Sequence, residues 1–92
     1  MVAQTPVKAV LHIFTESGKL EDVCEQLARL PQTVDVYEVT GEYDVIVVVA
    51  VSNVEELRSF ISKILSQVDG IKSSVTSVIL HTHKRNGVAT WE

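Results

Sequence analysis

The fold of this chain is decided by the stretch VDVYEVTGEYDVIVVVAV, residues 34–51, in which two strand-like runs flank a short polar segment. The runs Val34–Thr40 and Val45–Val51 are rich in β-branched residues, which favour strands. Gly41 lies between the runs and can supply the positive φ that a tight turn requires. The stretch therefore predicts a tight β-hairpin with an acidic turn.

Two helices and two further strands are predicted around this hairpin. Val7–Phe14 is rich in β-branched and aromatic residues and forms the first strand, and Val75–Thr82 forms the last. Apolar residues recur at helical spacing in two segments; they are Leu20, Val23, Cys24, Leu27 and Ala28 in the first and Val54, Leu57, Ile61, Ile64, Leu65 and Val68 in the second. The second helix begins with capping-box spacing at Ser52 and Glu55 and ends at Gly70.

The order strand, helix, strand, strand, helix, strand predicts an α+β fold. Right-handed crossovers turn this order into the ferredoxin-like βαββαβ architecture, a four-stranded antiparallel sheet with two helices on one face. The first and third strands are central in that architecture, and they are the two strands with apolar residues on both faces. A single domain spanning residues 1–92 accounts for the whole chain.

The sheet face without helices is expected to bind a second copy of the chain. It would display either the four valines at 45, 47, 49 and 51 or the alternate set Ile46, Val48 and Ala50, together with Val10 and Phe14 or their alternates. Such a patch covers roughly several hundred Å². At about 25 cal/mol per Å², its burial favours association by several kcal/mol before association costs. The sequence therefore predicts a dimer through this face.

Composition excludes several classes of function. Eight Lys and Arg against twelve Asp and Glu give a net charge of -4, so direct nucleic-acid binding, which needs a basic face, is not expected. The longest apolar run, Val45–Val51, is too short to cross a bilayer, and no charged leader with an apolar core precedes it. A cytoplasmic protein without membrane association is expected. The single cysteine, Cys24, is interpreted as a small core residue.

The acidic turn is suited to holding a small zwitterion. Backbone N–H groups at Gly41 can bind a carboxylate, while Glu42, Asp44 or exposed carbonyl groups can bind an ammonium group. Apolar side chains from a neighbouring subunit would then select the ligand. The alternative is a purely structural hairpin, because glycine and acidic residues are common in turns. In that alternative Tyr43 packs against a neighbouring subunit.

The chain resembles the effector-binding domain, or RAM domain, of the Lrp/AsnC (feast/famine) family of transcriptional regulators. The resemblance covers nearly the whole chain and rests on Leu30, Pro31, Val34, Tyr37, the segment Val39–Asp44, Leu57, Phe60, Ile61, Gly70, Ile71 and the segment Val75–Leu80. It implies a dimer with facing sheets, dimers assembled into rings that are often octameric, and amino-acid effectors held between dimers. The ligand-binding residues that it implies are Gly41, Tyr43 and Asp44, with Ser74 and Thr76 as further candidates beside Glu42.

The chain departs from the family at its beginning. Family members usually start with a helix-turn-helix domain, but only Met1 to Pro6 precede the first predicted strand. The resemblance therefore implies a stand-alone, non-enzymatic sensing module without direct operator recognition and without a cofactor. It also implies a partner, a full-length Lrp/AsnC-type regulator whose matching interface admits this module into mixed rings.

Other interpretations are left open by the residues. A ligand-free assembly module is one, and a dimeric ferredoxin-like enzyme that encloses a substrate or a haem through His12 is another. His81 and His83 share one face of the last strand, but antiparallel pairing separates them from His12, so no metal site is predicted. Asn86 and Gly87 favour a type I′ turn, with the segment to Trp91 returning as a hairpin or crossing to a neighbouring subunit.

Overall fold

Residues 6–90, which a computed structural model describes, form a four-stranded sheet, two helices and a small hairpin. The elements are β1 (Val7–Thr15), α1 (Leu20–Ala28), β2 (Thr33–Glu38), β3 (Val45–Val51), α2 (Val54–Gln67), β4 (Ile71–Val78), β5 (Lys84–Arg85) and β6 (Val88–Ala89). The strand order in the large sheet is β2-β3-β1-β4, and every neighbouring pair is antiparallel. The predicted βαββαβ fold with the first and third strands at the centre is confirmed.

The two faces of the sheet have different environments because successive side chains of a strand point to opposite sides. We call the face packed against the helices the covered face and the other the open face. The covered face supplies the residues that are 0% exposed on the two central strands, Ala9, Leu11, Ile13, Val45, Val47 and Val49. The helices complete this core with Val23, Leu27, Leu57, Phe60 and Ile64.

The buried stripe of α2 differs from the predicted one. Val54 and Leu65 were expected in the core but are exposed, whereas Phe60 is buried. Leu57, Phe60 and Ile64 follow the three- and four-residue spacing of one helix face, and Val54 and Leu65 lie beside it. Ala28, at the end of α1, is exposed for the same reason. The helical period was predicted correctly, but the width of the buried stripe was overestimated.

The cap of α2 lies one residue later than the sequence predicted. Asn53, not Ser52, is the N-cap, and its side-chain oxygen accepts a 2.8 Å hydrogen bond from the N–H of Glu56. The Glu56 carboxylate in turn accepts from the N–H of Ser52 at 2.8 Å. Glu56 thus has the position predicted for Glu55, but its carboxylate bonds to the N–H of the residue before the N-cap and not to that of Asn53, so the reciprocal pair of a capping box is only half formed.

The last strand of the sheet begins and ends four residues earlier than predicted. The prediction placed it at Val75–Thr82, but β4 spans Ile71–Val78. Its ends are fixed by its partner, since Thr15 pairs with Ile71 and Ala9 pairs with Val78. Beyond Val78 the N–H of Ile79 still donates to the carbonyl of Lys8 at 2.8 Å, and β1 itself begins one residue earlier, at Val7.

Gly70 joins α2 to β4 where the chain passes close to α1. The helix itself ends at Gln67, before the predicted end at Gly70. Gly70 has a φ of +101°, and a Cβ atom there would lie 2.6 Å from Cβ of Lys19 and 3.0 Å from Cγ2 of Val23. Only glycine fits this position without displacing α1.

The tail hairpin, Lys84–Ala89, confirms the predicted turn at Asn86 and Gly87. Their φ values of +50° and +78° are both positive, as a type I′ turn requires. β5 pairs with β6, and the N–H of Thr90 donates to the carbonyl of His83 at 2.9 Å. Trp91, at the end of the predicted return segment, lies outside the described residues, as do the first five residues.

Candidate functional site at the 39–44 loop

The loop between β2 and β3 comprises residues 39–44 and is longer than the tight turn that was predicted. It is closed at its base by a 3.0 Å hydrogen bond from the N–H of Val39 to the carbonyl of Asp44. Gly41 has a φ of +113°, in the region that favours glycine. Among the hydrogen bonds made within residues 6–90, none uses the N–H of Thr40, Gly41 or Glu42. Three consecutive donors are thus available to an anion.

Asp44 fastens this loop to the end of β1. One carboxylate oxygen, Oδ2, accepts from the N–H of Thr15 at 2.9 Å and from its hydroxyl at 3.3 Å. The N–H of Asp44 donates to the carbonyl of Ile13 at 3.0 Å. Asp44 therefore has a structural role, and only its other carboxylate oxygen is available for a ligand. Glu42, in contrast, is exposed.

Tyr43 packs on the open face of its own chain. Its ring centroid lies 5.0 Å from that of His12 and 4.8 Å from that of Phe14, with tilted ring planes. Tilted pairs at this separation are favourable aromatic contacts. The three rings fix the position of the loop above the end of β1, and the ring of Tyr43 is half-buried without any neighbouring subunit.

Ser74 and Thr76 are not grouped with the loop within one chain. Ser74 pairs with Ile13 and Thr76 pairs with Leu11, so both face the covered side of the sheet. Tyr43 lies on the open side. β4 is an edge strand, and β1 separates it from β3 and the loop. The structure brings together Gly41, Glu42, Tyr43 and Asp44 but leaves Ser74 and Thr76 on a different surface.

Three residues that support the loop were not recognised as part of the site from the sequence. Thr15 is 29 positions from Asp44, and no local pattern indicates their hydrogen bond. His12 and Phe14 alternate with core residues on β1, and this alternation places them on the face that Tyr43 contacts. Their side chains could have been assigned to the site only if the direction of the loop had been known.

The open face displays the set Ile46, Val48 and Ala50 from β3, which resolves the alternative left by the sequence. These three residues are half-buried, as are Val10 and Phe14 on β1. At the edges of the same face Tyr37 is 52% and Val75 is 49% exposed. An apolar surface therefore runs across all four strands between the loop at one end and the tail hairpin at the other.

The remaining sequence candidates do not form sites among residues 6–90. The rings of His81 and His83 lie 4.5 Å apart and nearly perpendicular, but no group of three His, Cys, Asp or Glu residues that could hold a metal is found in this range. Cys24 is half-buried against the core, and burial, followed by the charges of Glu38 and Glu21, raises the pKa of its thiol. No helix in the described range is long and apolar enough to span a membrane.

The strand order and the single helical layer place the chain in the ferredoxin-like α+β class. Within that class it belongs to the Lrp/AsnC ligand binding domain family, whose model matches residues 8–89. The HTH-type transcriptional regulator FL11 of Pyrococcus horikoshii is 36% identical over 76 residues, which are 83% of this chain and 50% of that protein. The chain therefore spans about half the length of such relatives.

Solved structures have the same fold. The protein TTHA0845 from Thermus thermophilus superposes with a TM-score of 0.79 at 28% identity, covering 86% of this chain and 99% of the other. The transcriptional regulator NMB0573 from Neisseria meningitidis, solved as an L-Met complex, gives a TM-score of 0.80 at 18% identity, covering 89% of this chain and 55% of that one. The second likeness establishes the shared fold alone.

Proposed function

We propose that this chain is a cytoplasmic, non-enzymatic sensing and assembly module that binds a small amino acid at the 39–44 loop. The observation on which this rests is the row of three unused N–H groups at Gly41 beside two carboxylates, in a member of the Lrp/AsnC ligand binding domain family. The L-Met complex of NMB0573, a relative with the same fold, supports an amino acid as the ligand class.

In this proposal the loop holds both charged groups of the amino acid. The ligand carboxylate accepts hydrogen bonds from the N–H groups of Thr40, Gly41 and Glu42. Its ammonium group pairs with Glu42 and with the free oxygen of Asp44, because the other oxygen of Asp44 is bound to Thr15. The hydrogen bond between Val39 and Asp44 closes the base of the loop and so limits its conformations, which lowers the cost of ordering the site when the ligand binds.

Ser74 and Thr76 contribute to this site only from a neighbouring subunit. Within one chain they face the helices on the far side of β1 from the loop. A loop from one subunit that meets the β4 edge of another would place a ligand at their boundary. This arrangement is consistent with an amino acid that binds between dimers and reports on assembly.

The open face is the proposed dimer interface. It presents half-buried aliphatic residues on the two central strands and exposed Val75 and Tyr37 at the edges. Exposed apolar patches of roughly several hundred Å² commonly mark interfaces. Two copies that face each other would bury this patch twice. We further propose that such dimers form higher rings, with an octamer as the expected size.

A full-length Lrp/AsnC-type regulator is the proposed partner. The chain is 36% identical to FL11 over the matched half of that regulator, so the two share the same sheet and helices. Because the two chains would present the same sheet face to a partner, one could replace the other in an oligomer and so form a mixed assembly. In such an assembly the ligand bound at the 39–44 loop would alter the regulator's oligomer, while this chain itself would not contact DNA.

A thermal-shift screen of the twenty amino acids, combined with multi-angle light scattering, tests the proposal. A ligand at about ten times its Kd stabilises the folded state by about 1.4 kcal/mol, which should raise Tm by about 5 °C or more for a domain of this size. One amino acid or a small related group should give this shift. No shift with any of the twenty would contradict ligand binding.

Two matched pairs of variants locate the binding site. Gly41→Ala should abolish the shift, whereas Gly87→Ala, which also places alanine at a positive φ with open space around it, should retain the shift. Glu42→Gln should weaken binding, whereas Glu25→Gln on the exposed side of α1 should not. If the two variants of either pair changed the amino-acid thermal shift equally, the ligand would bind elsewhere.

A ligand-free assembly module is the second candidate, and the bonds of Asp44 favour it. The carboxylate of Asp44 already accepts hydrogen bonds from Thr15, so Asp44 stabilises the loop even when no ligand is bound. In this case light scattering should show a dimer or ring whose mass and Tm are the same with and without each amino acid. The thermal-shift screen with light scattering therefore distinguishes the amino-acid sensor from the ligand-free assembly module.

A further inference from the structure

His12 lies in the middle of the open face. It belongs to β1, one of the two central strands, and its neighbours across the strands are Ile46 on β3 and Val75 on β4. Along β1 the nearest residues on the same face are Val10 and Phe14, two positions away in each direction. An imidazole ring is therefore surrounded by apolar side chains on the face that we propose as the dimer interface.

The ring of His12 has an aromatic neighbour but no hydrogen-bond partner among residues 6–90. Its centroid lies 5.0 Å from that of Tyr43, and no hydrogen bond or ion pair of its side chain is found in this range. Within the same range Oε1 of Gln32 is the one fully buried side-chain polar atom without a partner. Both ring nitrogens of His12 are therefore accessible to water in a single chain, although the residue is half-buried.

The strands beside His12 bring no charged side chain to the open face. β3 contributes three aliphatic residues, and β4 contributes two serines and a valine; they are Ile46, Val48, Ala50, Ser73, Val75 and Ser77. Tyr37 on β2 and Tyr43 of the 39–44 loop are phenols, which are uncharged near neutral pH. The loop also carries Glu42 and Asp44, but neither carboxylate forms an ion pair with His12.

The other charged groups that border the open face lie at the end near the tail hairpin. They are Lys8 on β1, Asp35 on β2, and Lys84 and Arg85 of the hairpin, which line one cavity there. Lys8 is four residues from His12, about 13 Å along an extended strand. Asp35 is two strands away from β1, a separation of about 10 Å. A positive charge on His12 would therefore have no opposite charge beside it on the described part of its own chain.

We infer that protonation of His12 weakens the dimer formed through the open face and so makes this interface sensitive to pH. The dimer is the one proposed above, on which this inference rests. In a single chain, water can solvate a protonated imidazole. A second copy that covers the open face removes this water, and burial of a charge without a partner is costly. The contact with Tyr43 is already present in the single chain, so it gives the charged ring no advantage in the dimer.

Two protons are linked to each association, because each copy contributes its own His12. Histidine is the side chain that ordinarily changes its charge between about pH 5 and pH 8. If the single chain binds a proton that the dimer excludes, the dimer Kd rises as the pH falls. With two such protons the rise reaches up to about a hundredfold for each pH unit. Acidification therefore shifts the equilibrium toward single chains.

The direction of the pH dependence distinguishes this arrangement from its opposite. Asp35 is the carboxylate that β2 brings to the open face. If the dimer placed Asp35 of a second copy beside His12, protonation would form an ion pair across the interface and tighten the dimer. A dimer Kd that falls on acidification would therefore overturn the inference.

The test is light scattering across a dilution series at about pH 8 and at about pH 5.5, at constant ionic strength and without amino acid. The dimer Kd of the wild type should be at least about tenfold higher at the lower pH. Far-UV circular dichroism at both pH values should be the same, and a loss of helical signal that accompanies the rise in Kd would assign the effect to unfolding and overturn the inference.

The same dilution series separates this inference from the proposed function. A dimer that is present at the higher pH, with a Kd that changes less than about twofold on acidification, would overturn the role of His12 and leave the proposed interface intact. A chain that is monomeric at the higher pH would overturn the interface, and the role of His12 with it. Neither result depends on the amino-acid screen.

Variants at the three histidines identify the group that binds the proton. His12→Gln keeps a polar side chain without a charge and should reduce the ratio of the two Kd values to less than about twofold. The control is His81→Gln combined with His83→Gln, which removes the two exposed histidines between β4 and the tail hairpin and should retain the wild-type ratio. Because ratios are compared, a change in packing at residue 12 does not affect the result. A pH response that persists in His12→Gln would overturn the assignment.

His12→Lys places a charge at the same position at both pH values. Its dimer Kd at the higher pH should be at least about tenfold above that of the wild type, and it should change little on acidification. A wild-type Kd in His12→Lys at the higher pH would show that a charge at this position is tolerated in the dimer and would overturn the inference.

Discussion

The covered and open faces of the sheet are built from alternate residues of the same two central strands. On β3, Val45, Val47 and Val49 are fully buried under the helices, while Ile46 and Val48 between them are half-buried. Both sets are aliphatic, so their chemistry does not explain the difference. The helices cover one side, and within residues 6–90 the other side is covered at its ends, by Tyr43 and by the tail hairpin.

The comparison separates residues that fold the domain from residues that are available for binding. Burial of the covered set stabilises the chain by itself, at about 25 cal/mol for each Å² removed from water. The open set is only half-buried in a single chain, and a second copy, as proposed above, would bury it further. Apolar residues on both sides of a central strand therefore have two roles, and substitutions on the two faces should have different consequences.

The largest expected difference is between Leu11 and Val10, neighbours on β1 that face opposite sides. Leu11→Ala removes a fully buried side chain and should lower the free energy of unfolding by about 3 kcal/mol, because the cavity it leaves cannot fully close. Val10→Ala should cost about 1 kcal/mol or less. Urea denaturation at a protein concentration that keeps the oligomeric state constant measures both. Equal costs would mean that the open face is packed as tightly as the core.

Gly70 tests how closely the covered layer is packed. Gly70→Ala should lower the free energy of unfolding by about 2 kcal/mol, because a Cβ atom there meets Lys19 at 2.6 Å and the φ of +101° is unfavourable for alanine. Gly18→Ala is the control, since its φ of +81° is also positive but no atom lies within 4 Å of the added Cβ. It should cost about 1 kcal/mol. A control as costly as Gly70→Ala would assign the effect to backbone conformation alone.

Val10→Lys tests the open face as an interface. The lysine side chain reaches solvent in a single chain, so the far-UV circular dichroism spectrum should be unchanged. A second copy would bury its charge without a partner, and the dimer Kd should rise at least about tenfold. Ser62→Lys on the exposed side of α2 adds the same charge away from the interface and should leave the Kd unchanged. Light scattering across a dilution series measures both, and an unaffected dimer in Val10→Lys would place the interface elsewhere.

The smallest expected effect is on the reactivity of Cys24, whose thiol should be alkylated more slowly in the folded chain than in the unfolded chain. Burial raises the pKa of its thiol, and nearby Glu38 and Glu21 raise it further, so the reactive thiolate is scarcer than in an unfolded chain at the same pH. Alkylation by iodoacetamide at about pH 8 should therefore be several-fold slower in the native state than in urea. Because the folded-state pKa is raised, this group stabilises the fold below the unfolded pKa and loses that contribution as pH rises through the folded pKa. Equal alkylation rates would contradict a buried thiol.

The order of the elements was predictable from the sequence because strand-forming and helix-forming segments differ in local composition and spacing. The β-branched runs that become β1 and β3 and the helical spacing of apolar residues in α1 and α2 are local properties, and they give the βαββαβ order directly. The ends of β4 were not predictable in the same way. Val75 to Leu80 resembles a strand throughout, but β4 begins at Ile71, opposite Thr15, and ends at Val78, opposite Ala9. Its partner strand sets these ends, and the partner is remote in sequence.

The 39–44 loop was recognised from Gly41 and its acidic neighbours, but its internal arrangement was not. Asp44 bonds to Thr15, and Tyr43 packs on His12 and Phe14, contacts that join segments roughly thirty residues apart. Ser74 and Thr76 were grouped with the loop by resemblance to the family. Their positions on β4 place them on the covered side of the sheet. Which face a residue occupies depends on strand register, and a shift of one residue reverses it.

The sequence by itself determined the type and order of the two helices and of the four strands of the sheet, the turn residues Gly41, Asn86 and Gly87, and the apolar character of both faces of β1 and β3. These follow from the preferences of short segments for particular backbone angles and from hydrophobic periodicity. Only the tertiary structure decided which alternate set the helices cover, where β4 ends, and that the tail hairpin lies at the end of the open face opposite the 39–44 loop. Those properties depend on contacts between segments that are far apart in the sequence. Such contacts form only when the chain has folded, so local patterns do not reveal them.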